Sequence, residues 1–71
     1  MSEAGTAVEA TARVVESLPN SMYRLELQTE GRPGLTAHVG SPALLRLLPG
    51  DLVVVEISSF DAQRGRIVRR A

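Results

Sequence analysis

Alternation of apolar and polar residues with a period of two recurs through this chain, and it restricts the fold to small β-sheet architectures. Val8, Ala10, Ala12 and Val14 occupy every second position of the first such run. Successive side chains of a strand point to opposite faces, so this pattern is typical of strands with one buried face. Turn residues separate the runs at short intervals. The sequence therefore predicts an all-β domain.

Five strands are predicted from these runs. The first two are joined at Pro19-Asn20 and form a hairpin, because proline fixes φ and asparagine tolerates a left-handed turn conformation. Two glycines and a proline place a loop over residues 30–34, and residues 60–65 form a further loop in which Gly65 supplies a turn with positive φ. The predicted strands cover residues 8–16, 22–29, 35–39, 52–58 and 66–70.

A short helix is predicted between the third and fourth strands, over residues 42–48. Ser41 is suited to its N-cap and Pro42 to its first turn, and its leucines would cover one side of the core. Three strands, a helix and two strands match the five-stranded OB-fold barrel with a short helix between strands 3 and 4. An SH3-like barrel is the alternative, although it usually lacks a helix at that point.

The size of the chain limits it to one domain. Its 71 residues suffice for one modest core, and we expect a flexible tail over residues 1–6 and a single OB-fold domain over residues 7–71. The absence of cysteine excludes disulfides and favours a reducing compartment. Apolar runs such as Leu52–Val55 are far shorter than the roughly 18 residues of a membrane span, and the N-terminus lacks signal-peptide features. A cytoplasmic protein without a membrane partner is expected.

Positive charge is concentrated at the C-terminal end, although the formal net charge is zero. The chain has eight arginines and no lysine, and residues 64–70 contain four of these arginines and no acid. A guanidinium group can form two hydrogen bonds to a phosphate and can stack on bases. This cluster therefore indicates a nucleic-acid partner; the alternative is an edge strand protected by charge against aggregation.

Four segments resemble the bacterial translation initiation factor one family. Val14–Leu27 is similar to its first hairpin, V-x-E-x-L-P-N-x-M-F/Y-K/R-V-E-L, and Thr36–Val39 looks like its A-H-I segment. Leu48–Glu56 resembles L-x-G-D-x-V-x-V-E, and Phe60–Val68 resembles Y-D-x-x-K/R-G-R-I-V/T. The four segments follow in the same order as in the family and span most of the chain.

This resemblance implies a cytoplasmic OB-fold protein, related to S1-like domains, that acts as a translation initiation factor. It implies binding to the small ribosomal subunit near the decoding site, with contacts to rRNA and a neighbouring ribosomal protein, alongside the other initiation factors. It implies assistance in the assembly of the initiation complex and no chemical reaction. We expect a monomer.

The chain departs from the family pattern in two loops. The family's basic stretch after the third strand, S-G-K-M-R-K-N-Y-I-R-I, corresponds here to the shorter segment 40–47, which keeps only Arg46 as a basic residue. The loop over Thr29–Gly34 is longer than usual. The resemblance is thus to a divergent member of the family.

The predicted RNA-binding residues correspond to polar or basic positions of the family or lie in the C-terminal cluster. They are His38, Arg46, Arg64, Arg66, Arg69 and Arg70. His38 could instead be a hydrogen-bonding residue at a strand end, and Arg46 could cover the core with its aliphatic stem. Tyr23 and Phe60 are the only rings, and Tyr23 is expected in the core, so recognition of folded RNA is favoured over stacking on single strands.

No constellation of residues indicates catalysis. Asp51 and Asp61 are expected to cap turns, and no nucleophile with a base and no phosphate-binding glycine loop is present. A metal site and a cofactor are not expected. Two other functions remain open: a non-specific chaperone of single-stranded RNA of the cold-shock or S1-like kind, and a protein-interaction OB module that has lost RNA binding.

Overall fold

Five strands form a closed barrel in the computed structural model, which describes residues 7–39, 46–58 and 61–71. Around the barrel the strands follow the order β1-β2-β3-β5-β4, and every neighbouring pair is antiparallel except β3 and β5, which are parallel. This is the predicted OB-fold architecture. The strands are β1 (Ala7–Leu18), β2 (Met22–Leu27), β3 (Gly34–Val39), β4 (Leu52–Ser58) and β5 (Asp61–Arg70).

The long first strand closes the barrel because it pairs with a different neighbour at each end. Its first half pairs with β4 and its second half with β2, and Ala12 and Arg13 lie where both ladders overlap. A bulge leaves Val15 without a partner in β2. Such a bulge bends a strand and increases its twist, as closure of a small barrel requires.

The core is one cluster of small and medium apolar side chains from all five strands. Ala12 and Ala37 are completely buried beside larger residues such as Leu25 and Ile67. The small residues predicted on the inner face of β1 thus leave room for the leucines of β2 and β3. The full set is Ala12, Val14, Leu25, Leu35, Ala37, Leu47, Val53, Val55 and Ile67.

The segment that precedes β4 contributes Leu47, which is only 3% exposed. Residues 42–45 of the predicted helix lie outside the described residues, and its described end, Arg46 to Leu48, is not helical. Arg46 adopts a left-handed conformation with φ 60°. Of the leucines predicted to cover the core, Leu47 is therefore shown to do so, and the last turn of the predicted helix is not helical.

The prediction of a loop over residues 60–65 was wrong, because β5 already begins at Asp61. Gly65 lies inside this strand and has no positive φ. A methyl group at this position would lie 2.7 Å from Val55 Cγ2 and 3.0 Å from the Glu56 carbonyl oxygen. Glycine is therefore needed for the close approach of β4, and not for a turn.

The predicted tail over residues 1–6 and the side chain of Phe60 lie outside the described residues. Within the described ranges no helix has the length and hydrophobicity that crossing a membrane requires.

Candidate nucleic-acid interface

Parallel pairing of β3 with β5 brings three of the predicted RNA-binding residues onto one outer surface. His38 pairs with Arg66, and Thr36 pairs with Arg64. Gly65 and Ile67 face inward between these positions, so Arg64 and Arg66 point outward, and His38 is exposed. The structure therefore places His38, Arg64 and Arg66 side by side.

Arg69 and Arg70 lie at the end of β5, beside β4. Arg69 pairs with Val54, whereas Ile67 pairs with Val55, so Val68 is an extra residue in β5. Strict alternation would put Arg69 on the same face as the buried Ile67. The bulge at Val68 takes Arg69 off that face, and its side chain is 58% exposed.

Within the described part of the chain, ion pairs join arginines of β5 to acids from other parts of the barrel. The pairs are Arg66 Nη2–Glu56 Oε1 at 2.8 Å, Arg69 Nη2–Glu9 Oε1 at 2.9 Å and Arg70 Nη1–Asp51 Oδ2 at 3.4 Å. All six side chains are substantially exposed, and exposed pairs of this kind contribute little to stability. A phosphate can therefore replace these carboxylates without unfolding the barrel.

The pair between Arg69 and Glu9 is the one in which both side chains show a pKa shift. Hydrogen bonds from the Arg69 guanidinium, and then its charge, lower the pKa of Glu9 below its ordinary value of 4.5. The same interactions raise the pKa of Arg69. Both groups are therefore charged at neutral pH.

Asp51 has the structural role that the sequence predicted. Its carboxylate accepts a hydrogen bond of 2.9 Å from the Leu48 N–H, and its own N–H donates to the Leu48 carbonyl at 3.0 Å. The turn passes through Gly50 at φ 97°. Arg46 is exposed just before this turn, next to the buried Leu47.

A groove of about 830 Å³ on the outside of the barrel contains two arginines that the sequence analysis did not select. Arg24 from β2 and Arg32 from the loop after β2 line it together with Arg64. The available signal was the alternation of β2, which puts Arg24 on the outer face opposite Leu25. Outer faces of strands 2 and 3 are common oligonucleotide-binding surfaces in OB-folds.

Tyr23 is half-buried and packs against the core, as predicted. Among the described residues, no three His, Asp or Glu side chains lie close enough together to hold a metal ion.

Comparison with known proteins shows to which family this chain is related. No protein-family model matches it. Its structure is similar to the solution structure of translation initiation factor one from the Wolbachia endosymbiont strain TRS of Brugia malayi, with a TM-score of 0.73 and 31% sequence identity. The match covers 97% of this chain and 83% of that chain, and it confirms the resemblance found in the sequence motifs. The chain belongs to the translation initiation factor one family.

Proposed function

We propose that this protein is a translation initiation factor that binds the small ribosomal subunit near the decoding site through rRNA contacts and assists assembly of the initiation complex. The observation that carries the proposal is the similarity to translation initiation factor one over 97% of the chain at 31% identity. The protein acts in the cytoplasm as a monomer, beside a ribosomal protein and the other initiation factors, and it carries out no chemical reaction.

The rRNA contacts are made by the exposed arginines of β5 and by His38. Arg64, Arg66 and His38 form one patch on β3 and β5, Arg69 extends it toward β4, and Arg70 lies beside Asp51 at the end of β5. Guanidinium groups bind phosphates through two parallel hydrogen bonds. Exposed Arg46, before β4, makes a further phosphate contact.

Binding exchanges carboxylates for phosphates. In the free protein Glu9, Glu56 and Asp51 hold arginine side chains in place above the sheet. When RNA approaches, these exposed pairs open, phosphates take the position of the carboxylates, and the counterions of the RNA are released. The affinity must therefore fall as salt increases.

Recognition depends on the shape and backbone of folded RNA. Tyr23 packs against the core, whereas proteins that bind single strands present several rings for stacking. This favours a structured rRNA site over the single-strand chaperone.

Co-sedimentation with purified small and large ribosomal subunits across a salt series tests the proposal. We expect saturable binding to small subunits only, weakened by salt and displaced by a ligand known to occupy the decoding site. Absence of binding to small subunits at low salt would refute the proposal. Equal binding to any single-stranded RNA would favour the chaperone, and retention of a protein partner without RNA binding would favour the interaction module.

A further inference from the structure

We propose that the loop between β2 and β3 extends the RNA-binding surface of β5 across the barrel to β2, where Arg32 acts with Arg24 and Arg64 to hold the phosphate backbone of folded RNA. This surface would supply positive charge that the shortened segment 40–47 lacks. The inference rests on the proposed function, since it assumes an RNA partner.

A straight row across three strands forms the floor of this surface. Arg24 in β2 pairs with Thr36 in β3, and Thr36 pairs with Arg64 in β5. Residues that pair directly across neighbouring strands share a face, so the two arginines lie on the same outer face, with Thr36 between them. Neighbouring strands are about 4.8 Å apart. The row can hold an anion above Thr36 from both sides.

The loop adds a third guanidinium group at this groove. It folds against the end of β2, where the Leu27 N–H donates to the Pro33 carbonyl and the Arg32 N–H donates to the Thr29 carbonyl, both at 2.9 Å. Arg32 has φ 44° and lines the groove.

The charge and shape of the groove fit a phosphate backbone. Among the described residues that line it, three are arginines and one, Glu26, carries a carboxylate. A second acid, Glu16, accepts a hydrogen bond of 2.7 Å from Arg24, but both side chains are more than half exposed, and a phosphate can compete for this contact. Of the described residues that line the groove none is aromatic, which favours backbone contacts over base stacking. Its volume of about 830 Å³ lies within the range of ligand sites, roughly 300–1,000 Å³.

The two departures from the family pattern then have a common explanation. The basic residues are missing from segment 40–47, while the longer loop carries Arg32. Because Arg32 reaches the same groove as Arg64, the longer loop extends the arginine surface of β5 across β3 to β2.

The test compares Arg32→Gln with Arg13→Gln, which removes the same charge. Arg13 is also exposed but lies on β1, near the Gly50 carbonyl, and does not line the groove. Binding to purified small subunits is measured between about 50 and 200 mM salt. We expect Arg32→Gln to lower the slope of log affinity against log salt by about 0.7–0.9, so that this salt change weakens binding about threefold less than for the wild type. Equal behaviour of the two variants would overturn the inference.

A second probe separates this inference from the proposed function. The Nε–H signals of Arg24, Arg32 and Arg64 are followed by NMR while a hairpin RNA of about 36 nucleotides is added to the full chain, since its stem then has the ~16 base pairs that shape-reading domains span. If the wild type binds subunits and Arg32→Gln has no effect, the RNA-binding role of the groove is refuted and the proposed function stands. If small subunits do not bind the protein, the proposed function is refuted, but the hairpin RNA still tests the groove. Shifted arginine signals would support RNA binding in the groove, and unchanged signals would overturn it.

Discussion

Substitution of Gly65 by alanine tests the packing of the barrel where β5 carries its arginines. The new methyl group would lie 2.7 Å from Val55 Cγ2, 3.2 Å from Leu35 Cδ1 and 3.0 Å from the Glu56 carbonyl oxygen. The two side chains can shift, but the carbonyl belongs to the backbone of β4, which pairs with β5. Overpacking of a core costs about 1–3 kcal/mol, and the backbone contact places Gly65→Ala in the upper half of this range.

The free energy of unfolding is measured by urea denaturation followed by circular dichroism. A loss of about 2–3 kcal/mol corresponds to a decrease in Tm of about 8–24 °C, since each kcal/mol shifts Tm by roughly 4–8 °C in a domain of this size. The midpoint should fall without a change in the denaturant slope.

Gly34→Ala is the matched control. Gly34 begins β3 and also lacks a positive φ, but its nearest neighbour, the Leu25 carbonyl oxygen, would lie 3.6 Å from the added methyl group, an ordinary contact. We expect a change of less than about 1 kcal/mol, which can be stabilising because alanine restricts the unfolded chain. If Gly65→Ala were as stable as Gly34→Ala, the explanation of this glycine by close approach would be wrong.

Two further substitutions test the ion pairs and the turn before β4. Glu9→Gln should be less stable than the wild type at neutral pH, because Arg69 lowers the pKa of Glu9 in the folded state. Urea denaturation at several pH values should show that this difference in stability vanishes as the pH falls below about 4.5 and through the lowered pKa. A difference in stability that does not depend on pH would contradict the pairing of Glu9 with Arg69. Asp51→Ala removes the acceptor of the Leu48 N–H and should cost about 0.5–2 kcal/mol, as loss of a comparable capping group does. Thermal unfolding measures this cost, with Asp51→Asn as the variant that keeps an acceptor oxygen; equal losses in both variants would argue against the hydrogen bond.

The sequence predicted correctly those strands in which the local composition favours the same conformation as the pairing in the barrel. The fourth strand was predicted with its correct ends, 52–58, because β-branched residues alternate there between two clear turn signals. The last strand was predicted too short, because residues 61–65 have the composition of a loop. Pairing of β5 with both β3 and β4 overrides that local preference.

The candidate interface could be predicted only in part. Clustering along the chain identified the four arginines of residues 64–70, but the acidic partners of Arg66, Arg69 and Arg70 come from β4, from β1 and from the turn before β4. Glu9 is 60 positions from Arg69, so only the closure of β1 against β4 brings it near, and the bulge at Val68 shows no signature in the sequence. Arg32 looked like an ordinary loop residue because its position at the groove depends on how the loop folds against β2.

Binding of rRNA through the arginines of β5 can be tested by the affinity for small ribosomal subunits of the wild type and of the double variant Arg64→Ala/Arg66→Ala, measured across a salt series. The proposed function predicts saturable, salt-sensitive binding by the wild type. For the variant it predicts weaker binding, a slope lowered by about 1.4–1.8 for two lost phosphate contacts, and a nearly unchanged Tm, since the Arg66–Glu56 pair is exposed. Equal affinity and slope for the two proteins, or a large loss of Tm with binding intact, would show that Arg64 and Arg66 do not bind rRNA.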